Sequence, residues 1–464
     1  MANPFPFHDL ARPASHDDLP VAIIGGGFSG TLLAIHLARR GVRVVIVERD
    51  PQALAHGLAY GACGPQHLLN VRAGNMSAFP DDPTHFLRWL GHGETDAANR
   101  FATRASYGAY IASLLASARA AMPDRITIAI ASAHGVTPLP DGTLQVALDQ
   151  GAPLLHARAV VLAQGNLPPQ RHHALAAMAP PQALPDPWAP GALDAIAPDA
   201  RVLLLGTGLT AIDVIQSLEA RGHRGPIVAL SRRGLVPRAH AASGPAISPQ
   251  PMPAARGSAL LRHIRARARA VGWHHAIDEL RPHTHALWQA HDGVAQARFL
   301  RHARPWWDVH RHRMAPAIAQ RIETLAAAGR LLVVAGSLQQ VVPDGDDGLL
   351  AQWRARGSDA VATLAVDHVV VCTGPGGDPA QSRDPLLRSL LAAGLARPCP
   401  LHLGLDVDDH WRLRDARGRA ALPIHAMGAL SKGLNWEMVA VPDIRLQAQR
   451  LADHLVAAQP AVAA

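Results

Sequence analysis

Short runs of consecutive apolar residues punctuate the chain, and some end at glycine. The run at 21–24 stops at three glycines, the pattern of a strand buried on both faces of a parallel sheet. A helical period follows over 31–40 and stops at Gly41, and a β-branched run covers 42–47. Together they predict a βαβ unit. The same succession recurs at 201–205, 210–221 and 227–230, and no other internal repeat is present. Between the two units, 52–83 is irregular and glycine-rich; so long a structureless stretch predicts a segment that wraps a ligand. Helices are predicted over 84–90, with Thr84 as cap, and over 107–121, and a strand over 159–162. Segments 167–200 and 237–253 are rich in proline and read as covering loops. The remainder predicts a helical stretch over 258–328, strands at 331–335 and 368–372, and a last helix at 446–457.

Composition narrows this picture. A chain of 464 residues that is 48% hydrophobic and 17% charged is long enough for two or three globular domains. The formal charge of +8 comes from 44 basic against 36 acidic residues, and Lys432 is the single lysine. The arginines are scattered among acids, so they read as a solvated surface rather than a nucleic-acid or membrane patch. Cys63, Cys372 and Cys399 form no C-x-x-C pair, which argues for a reducing compartment and against a zinc knuckle or a redox dithiol. Residues 1–20 carry no apolar core of a signal peptide, and the run at 21–38 is broken by glycines and His36. A cytoplasmic location is expected, and the oligomeric state stays open. Asp308, His310 and His312 have metal-ligand chemistry, but spaced by two on a helix they point to different sides. Trp273, Trp288, Trp306 and Trp307 read as core packing.

Two motifs carry chemistry. Gly25-Gly26-Gly27-Phe28-Ser29-Gly30 is a G-x-G-x-x-G between strand and helix. Its glycines allow a tight turn, close approach of a pyrophosphate and tight helix–sheet packing, and the helix N-terminus supplies N–H groups to the phosphates. Glu48 ends the next strand, where a carboxylate can take both hydroxyls of an adenosine ribose, and Arg49 follows it. A glycine-rich turn without ligand is the bland alternative; the strand–turn–helix context and Glu48 weigh against it. Ser29 does not have the spacing of a nucleophile elbow.

The second motif is Gly206-Thr207-Gly208-Leu209-Thr210-Ala211, with alanine at the third glycine position. Its second strand ends in Ser231-Arg232-Arg233 and no acid. An acid there would repel a 2′-phosphate, whereas two arginines and a serine can hold one. The first unit therefore suits FAD and the second NADPH, with NADH less favoured. Two surface arginines without a ligand are the alternative. The fold class is α/β, with two Rossmann-like domains. The FAD domain spans 18–198 and 366–458, and the NADPH domain, 199–365, is inserted into it and carries a helical insertion at about 256–328. Strand ends at 161–165 and 370–374, including Thr373 and Gly374, fit chain crossings near a cofactor.

The stretches 57–60, 67–71, 76–83, 231–234, 304–313, 372–376 and 441–445 resemble a family of bacterial FAD/NAD(P)-binding flavoproteins whose FAD domain is of the urate-hydroxylase type. More distantly, the layout is similar to N-hydroxylating and Baeyer–Villiger monooxygenases. The chain departs from them: it lacks the Baeyer–Villiger signature, and the late Gly-Asp of many FAD domains stands here as Gly428-Ala429. The resemblance implies a flavin monooxygenase that uses NADPH and oxygen on a small amine, amino acid or heterocycle. A flavin reductase serving a quinone or protein and a non-catalytic dinucleotide sensor are the rival readings. By the same resemblance 70–77 and 432–437 close on the flavin ring. Asn70 and Arg72 would then hold a flavin carbonyl or the charge near N1, and Trp436 would offer a flat face.

Overall fold

The computed structural model describes residues 18–61, 63–91, 95–149, 151–170, 172–175, 182–242, 250–345 and 348–458. The start of the N-terminal segment and parts of both proline-rich loops lie outside the described residues. The strands, in chain order, are β1 (Val21–Ile24), β2 (Val44–Glu48), β3 (Ile126–Ile130), β4 (Ala133–Pro138), β5 (Leu144–Leu148), β6 (Leu155–Ala157), β7 (Ala159–Leu162), β8 (Ala183–Leu184), β9 (Val202–Leu205), β10 (Ile227–Ser231), β11 (Leu331–Asp344), β12 (Gly348–Ala355), β13 (Val361–Val366), β14 (His368–Val371) and β15 (Ile424–Ala426).

The chain forms two compact units. One comprises residues up to Gly61, 73–167 and 377 onward; the other comprises 62–72 and 168–376. The second is thus inserted into the first. The sequence pattern places the domain boundaries at 198 and 365. The structure groups 168–198 and 366–376 with the inserted unit, because β8 and β14 are strands of its sheet.

The first unit holds a five-stranded sheet in the order β15-β7-β1-β2-β3. All its pairings are parallel. Every residue of β1, β2 and β7 is buried, as expected of apolar runs with no alternation. Helix α1 (Phe28–Arg39) buries Leu32, Leu33, Ile35 and Leu37, each at or below 1% exposure. Each such side chain contributes roughly 1.5–3 kcal/mol. A separate antiparallel sheet, β4-β5-β6, and β3 are not among the elements that the sequence pattern predicts.

Helix α2 (Arg104–Ala121) starts where Thr103 Oγ1 accepts from the Ser106 amide at 3.0 Å. Thr84 does not cap in this way. Its hydroxyl instead accepts from Arg88 Nη1 at 2.6 Å, and the short helix His85–Trp89 begins without a side-chain cap.

In the inserted unit the sheet order is β13-β12-β11-β10-β9-β14-β8. The β8 to β11 part is parallel, and β12 and β13 add an antiparallel hairpin. Strand β9 feeds two cores by its two-residue period. Val202 and Leu204 pack with Val214 and Ile215 of helix α3 (Leu209–Ala220) and with Ile322 and Leu325 of helix α4 (Pro316–Ala327). Leu203 and Leu205 face the other core, with Leu338 and Leu349.

The helical insertion runs from Gly257–Val271 to Arg304–Arg311. Its tryptophans are not uniformly core: Trp288 is 6% exposed and Trp306 is 48% exposed. The last helix, α5 (Val441–Ala457), begins five residues earlier than the pattern predicts (446 − 441). Pro442 near its start and Asp443 in its first turn both favour that N-terminus.

Candidate functional site

Strand β1 is stopped by Gly25, whose φ of +105° only glycine adopts readily. A Cβ there would lie 2.5 Å from the Ala163 carbonyl oxygen beyond β7. Gly30 is more constrained still, since a Cβ on it would stand 1.9 Å from the Gly25 oxygen. The turn and α1 are therefore locked by the glycines themselves. Gly27 precedes α1 without a side-chain cap, so the first-turn N–H groups lack intrahelical partners and can serve an anion.

Gly27 is needed for a further reason: the space of its absent side chain is taken by Gly57, whose Cα would be 3.2 Å from a Cβ. Phe28 turns inward against Tyr60 and Tyr107, with ring centroids at 6.1 and 5.9 Å, so only its backbone faces the turn. Beside Ser29 stands Gly428, at φ +63°, where a Cβ would be 3.2 Å from Ser29 Oγ. The Gly428 amide donates to Gln447 Oε1 at 2.8 Å. The acid-free late Gly-Ala thus sits at the head of α1, fixed by Gln447 of α5. A glutamine within a helix gave the sequence reading no signal for that role.

Glu48 is 8% exposed. Its Oε2 accepts from the Gly26 amide at 2.7 Å and its Oε1 from the Asp50 amide at 3.1 Å. The carboxylate ties the end of β2 to the glycine turn and keeps lone pairs for ribose hydroxyls. Arg49 is largely exposed, 3.9 Å from Asp384.

The second turn repeats the plan with an open front. Gly206 has φ +123°, and a Cβ there would lie 2.3 Å from the Cys372 oxygen. Among the described residues Gly208 has no atom within 4 Å of a Cβ position and no side chain caps α3, so Leu209 and Thr210 bring uncapped amides to an open surface. Ala211 is 1% exposed, and its methyl fits where a third glycine was not needed. Thr373 is exposed, and Gly374 has φ +81° with open space around it.

At the tip of β10 the hydrogen bonds are decisive. Thr207 Oγ1 donates to the Leu235 carbonyl, so Ser231 must be the donor in the Ser231–Thr207 hydroxyl pair at 2.9 Å. Ser231 Oγ also accepts from the Gly234 amide at 3.1 Å. Its proton is spent inside the loop, and its remaining lone pair would repel a phosphate oxygen. Ser231 is thus a brace for the tip and not the phosphate donor expected of it. Arg233 is half-buried, and its Nη1 is shielded from solvent without a hydrogen-bond partner among the described residues. Arg232 is exposed. A buried donor left unmade costs free energy, and an incoming phosphate would satisfy it.

The residues proposed at a flavin ring fall in different units. Asn70 and Arg72 lie in 62–72 of the inserted unit, and Trp436 lies in the first. Arg72 is 8% exposed and donates from Nη2 to the Ala241 carbonyl at 2.6 Å. Burial pulls its guanidinium below the ordinary arginine range, while Asp278 acts in the opposite sense. The Asn70 carbonyl faces His240 Nε2 at 3.0 Å. Burial lowers the His240 pKa to about 4, leaving a neutral imidazole at neutral pH. His240 lies in a stretch whose prolines marked it only as loop. Trp436 is 4% exposed, with Lys432 Nζ 4.9 Å from its ring centroid. Asn435 Oδ1 accepts from Trp411 Nε1 at 2.8 Å.

Residues 22–167 match the family model described as FAD-NAD(P)-binding. The chain carries an FAD/NAD(P)-binding domain there. Among curated proteins, a glycerol-3-phosphate dehydrogenase of Thioalkalivibrio sulfidiphilus is 49% identical over 49 residues, 11% of this chain and 14% of that protein. A salicylate hydroxylase of Sarocladium schorii is 29% identical over 96 residues, covering 18% and 20%. The chain thus spans a fifth or less of these relatives.

Solved structures match far more of it. L-lysine 6-monooxygenase of Pseudomonas syringae aligns with TM-score 0.64 and 17% identity, over 95% of this chain and 100% of its own. Ornithine hydroxylase of Pseudomonas aeruginosa gives 0.62 and 14%, over 94% and 98%. Bacillithiol disulfide reductase of Staphylococcus aureus gives 0.57 and 12%, over 95% and 99%. At such identities the likeness is one of fold: two Rossmann-like domains, one inserted into the other. Among the described residues no helix is long and apolar enough to cross a membrane.

Proposed function

We propose that the chain is an FAD-dependent oxidoreductase that consumes NADPH and oxygenates a small amine, amino acid or heterocycle. The observation that carries the coenzyme half is the pair of turns with opposite tips: Glu48 at one, and Arg233 with a buried, unsatisfied Nη1 at the other. Held there, FAD would supply the electron transfer between nicotinamide and oxygen. The chain's own part is to seat the two dinucleotides. Gly25 and Gly30 hold the first turn closed, Glu48 takes the adenosine ribose hydroxyls, and the uncapped start of α1 faces the pyrophosphate. Gly208 leaves room for the second pyrophosphate, and Arg233 with Arg232 accepts the 2′-phosphate. Arg72, with Asn70, is assigned to the flavin's polar edge.

Oxygenation is supported by the likeness of fold to lysine and ornithine hydroxylases over nearly the whole chain. Transfer of electrons to a quinone or protein is the second reading, favoured by the equal coverage of disulfide reductases. The sulfur chemistry weighs against a dithiol route. None of the three cysteines is in a disulfide, and burial pushes the Cys372 and Cys399 thiols above the ordinary range, which suppresses the nucleophilic thiolate. Turnover with NADPH and a panel of amines, amino acids and heterocycles in air, set against quinone reduction under nitrogen, tests the reading. Quinone reduction without any oxygenated product would move the assignment to a reductase.

A further inference from the structure

The arginines look scattered along the chain, but the net charge is not. Residues 257–311, the helical insertion, hold nine arginines against four acids, a net +5 of the chain's +8. The four acids are engaged within the inserted unit. Glu279 accepts from Arg267 Nε and Nη2 at 2.8 and 2.7 Å, and Asp278 pairs with Arg313 at 3.0 Å. Asp308 pairs with Arg304 at 3.3 Å, and Asp292 Oδ1 accepts from the Ala295 amide at 2.8 Å. Among the described residues none of the four pairs with Arg262, Arg265, Arg269, Arg298 or Arg301, and all five of these arginines are exposed.

The helix Gly257–Val271 has 15 residues, contains no acid and buries none of its side chains. Leu260, Ile264, Ala268 and Val271 form one stripe at helical spacing, and it is only half-covered. Arg262, Arg265 and Arg269 fall within about 60° of one another on the adjoining face. Leu261, 44% exposed, stands between stripe and arginines. A globular helix normally sinks its apolar stripe into a core; this one is tethered through the Arg267–Glu279 pair instead. The helical run from Gly293 to Arg311 repeats the pattern, with Val294 (70% exposed), Arg298, Arg301 and Trp306 among its exposed positions. The Gly257 amide lies 3.5 Å from His291 Nε2, so the two segments start side by side.

We propose that this insertion docks on the surface of an anionic lipid bilayer. The guanidinium groups meet lipid phosphates, and Leu261, Val294 and Trp306 enter the boundary between headgroups and acyl chains. Arginine suits that boundary because its stem runs along apolar surface while its head stays with the phosphates. A nucleic acid would engage the arginines but leave Leu261 and Val294 without an apolar partner. The inference is independent of the reaction proposed above.

The test is co-sedimentation of the full-length, FAD-loaded protein with vesicles of phosphatidylcholine alone and of phosphatidylcholine mixed with phosphatidylglycerol, beside anisotropy titrations with labelled polyglutamate and a labelled DNA duplex. Binding to the anionic vesicles is expected, with little to the neutral ones, and it should fall as salt screens the charges. Arg262→Gln, Arg265→Gln and Arg269→Gln together should weaken it on the order of a hundredfold, since each basic residue at an anionic surface contributes roughly fivefold. Lipids brominated in their acyl chains should quench the parent's tryptophan emission, and Trp306→Phe should lose much of that quenching. The substituted side chains are all exposed, so the variants should fold; should the triple variant not fold, the quenching in Trp306→Phe carries the test. No binding to anionic vesicles, equal binding to neutral ones, unchanged affinity in the triple variant, unchanged quenching in Trp306→Phe, or tighter binding to the duplex or polyglutamate would overturn the proposal.

Discussion

Removing the guanidinium of Arg233 isolates the coenzyme assignment. Its Nη1 is buried and makes no hydrogen bond to the described residues, so Arg233→Ala forfeits none there, and the thermal midpoint should hold or rise slightly. With NADPH bound, the lost interaction is a charge-assisted hydrogen bond, about 1.5–3 kcal/mol in a shielded setting. Arg233 is only half-buried, so the lower bound of about 1.5 kcal/mol is the fairer figure, close to tenfold in kcat/KM. Arg232 is exposed and should add only about 0.2–1 kcal/mol, less than roughly fivefold. The double variant should thus lose about 10–50-fold with NADPH and change less than about twofold with NADH. The assay is anaerobic stopped-flow reduction of the bound flavin with each coenzyme, beside a melting curve. An equal loss with both coenzymes would mean that the arginines brace the loop, and no loss with either would remove them from the site.

Other consequences follow from the same geometry. Glu48→Ala should weaken FAD retention and lower the melting temperature, since the carboxylate also holds Gly26; Glu48→Gln should retain more fold than FAD, and heating should release FAD rather than FMN from the parent. Gly208→Ala should fold normally yet bind NADPH poorly, because only a ligand can meet the added methyl, whereas Gly30→Ala should impair folding itself; NADPH binding unchanged in Gly208→Ala would place the pyrophosphate elsewhere. Arg72→Ala should slow flavin reduction or reoxidation at least about tenfold, near 1.4 kcal/mol of barrier, with Arg72→Lys recovering part of the rate. Parental rates in both would detach Arg72 from the flavin.

The parts of this fold legible in the sequence are those in which a single residue type answers a single local demand. β1, β7, β9 and β14 are short apolar runs because parallel strands are covered on both faces. Gly25 and Gly206 announce turns that no other residue can make. What escaped is what neighbours in space decide. Ser231 looked like a phosphate donor, but Leu235 takes the Thr207 proton and Thr207 takes that of Ser231. Phe28 sits in the fingerprint yet belongs to the aromatic core with Tyr107. The hairpin strands β12 and β13 are half-exposed, and their alternation is too weak to separate from loop. Gln447 and His240 carry no motif, and their roles arise from Gly428 and Asn70, distant in the chain.

In the proposed function, electrons from NADPH reach oxygen on this protein and an oxygen atom enters a small substrate. Turnover under ¹⁸O₂ with NADPH and the amine, amino-acid and heterocycle panel, read by mass spectrometry, tests it most directly. The expected result is a product carrying one labelled oxygen, formed in step with NADPH oxidation and absent under nitrogen. NADPH oxidation that yields no labelled product from any member of the panel, while a quinone is reduced equally well without oxygen, would contradict it.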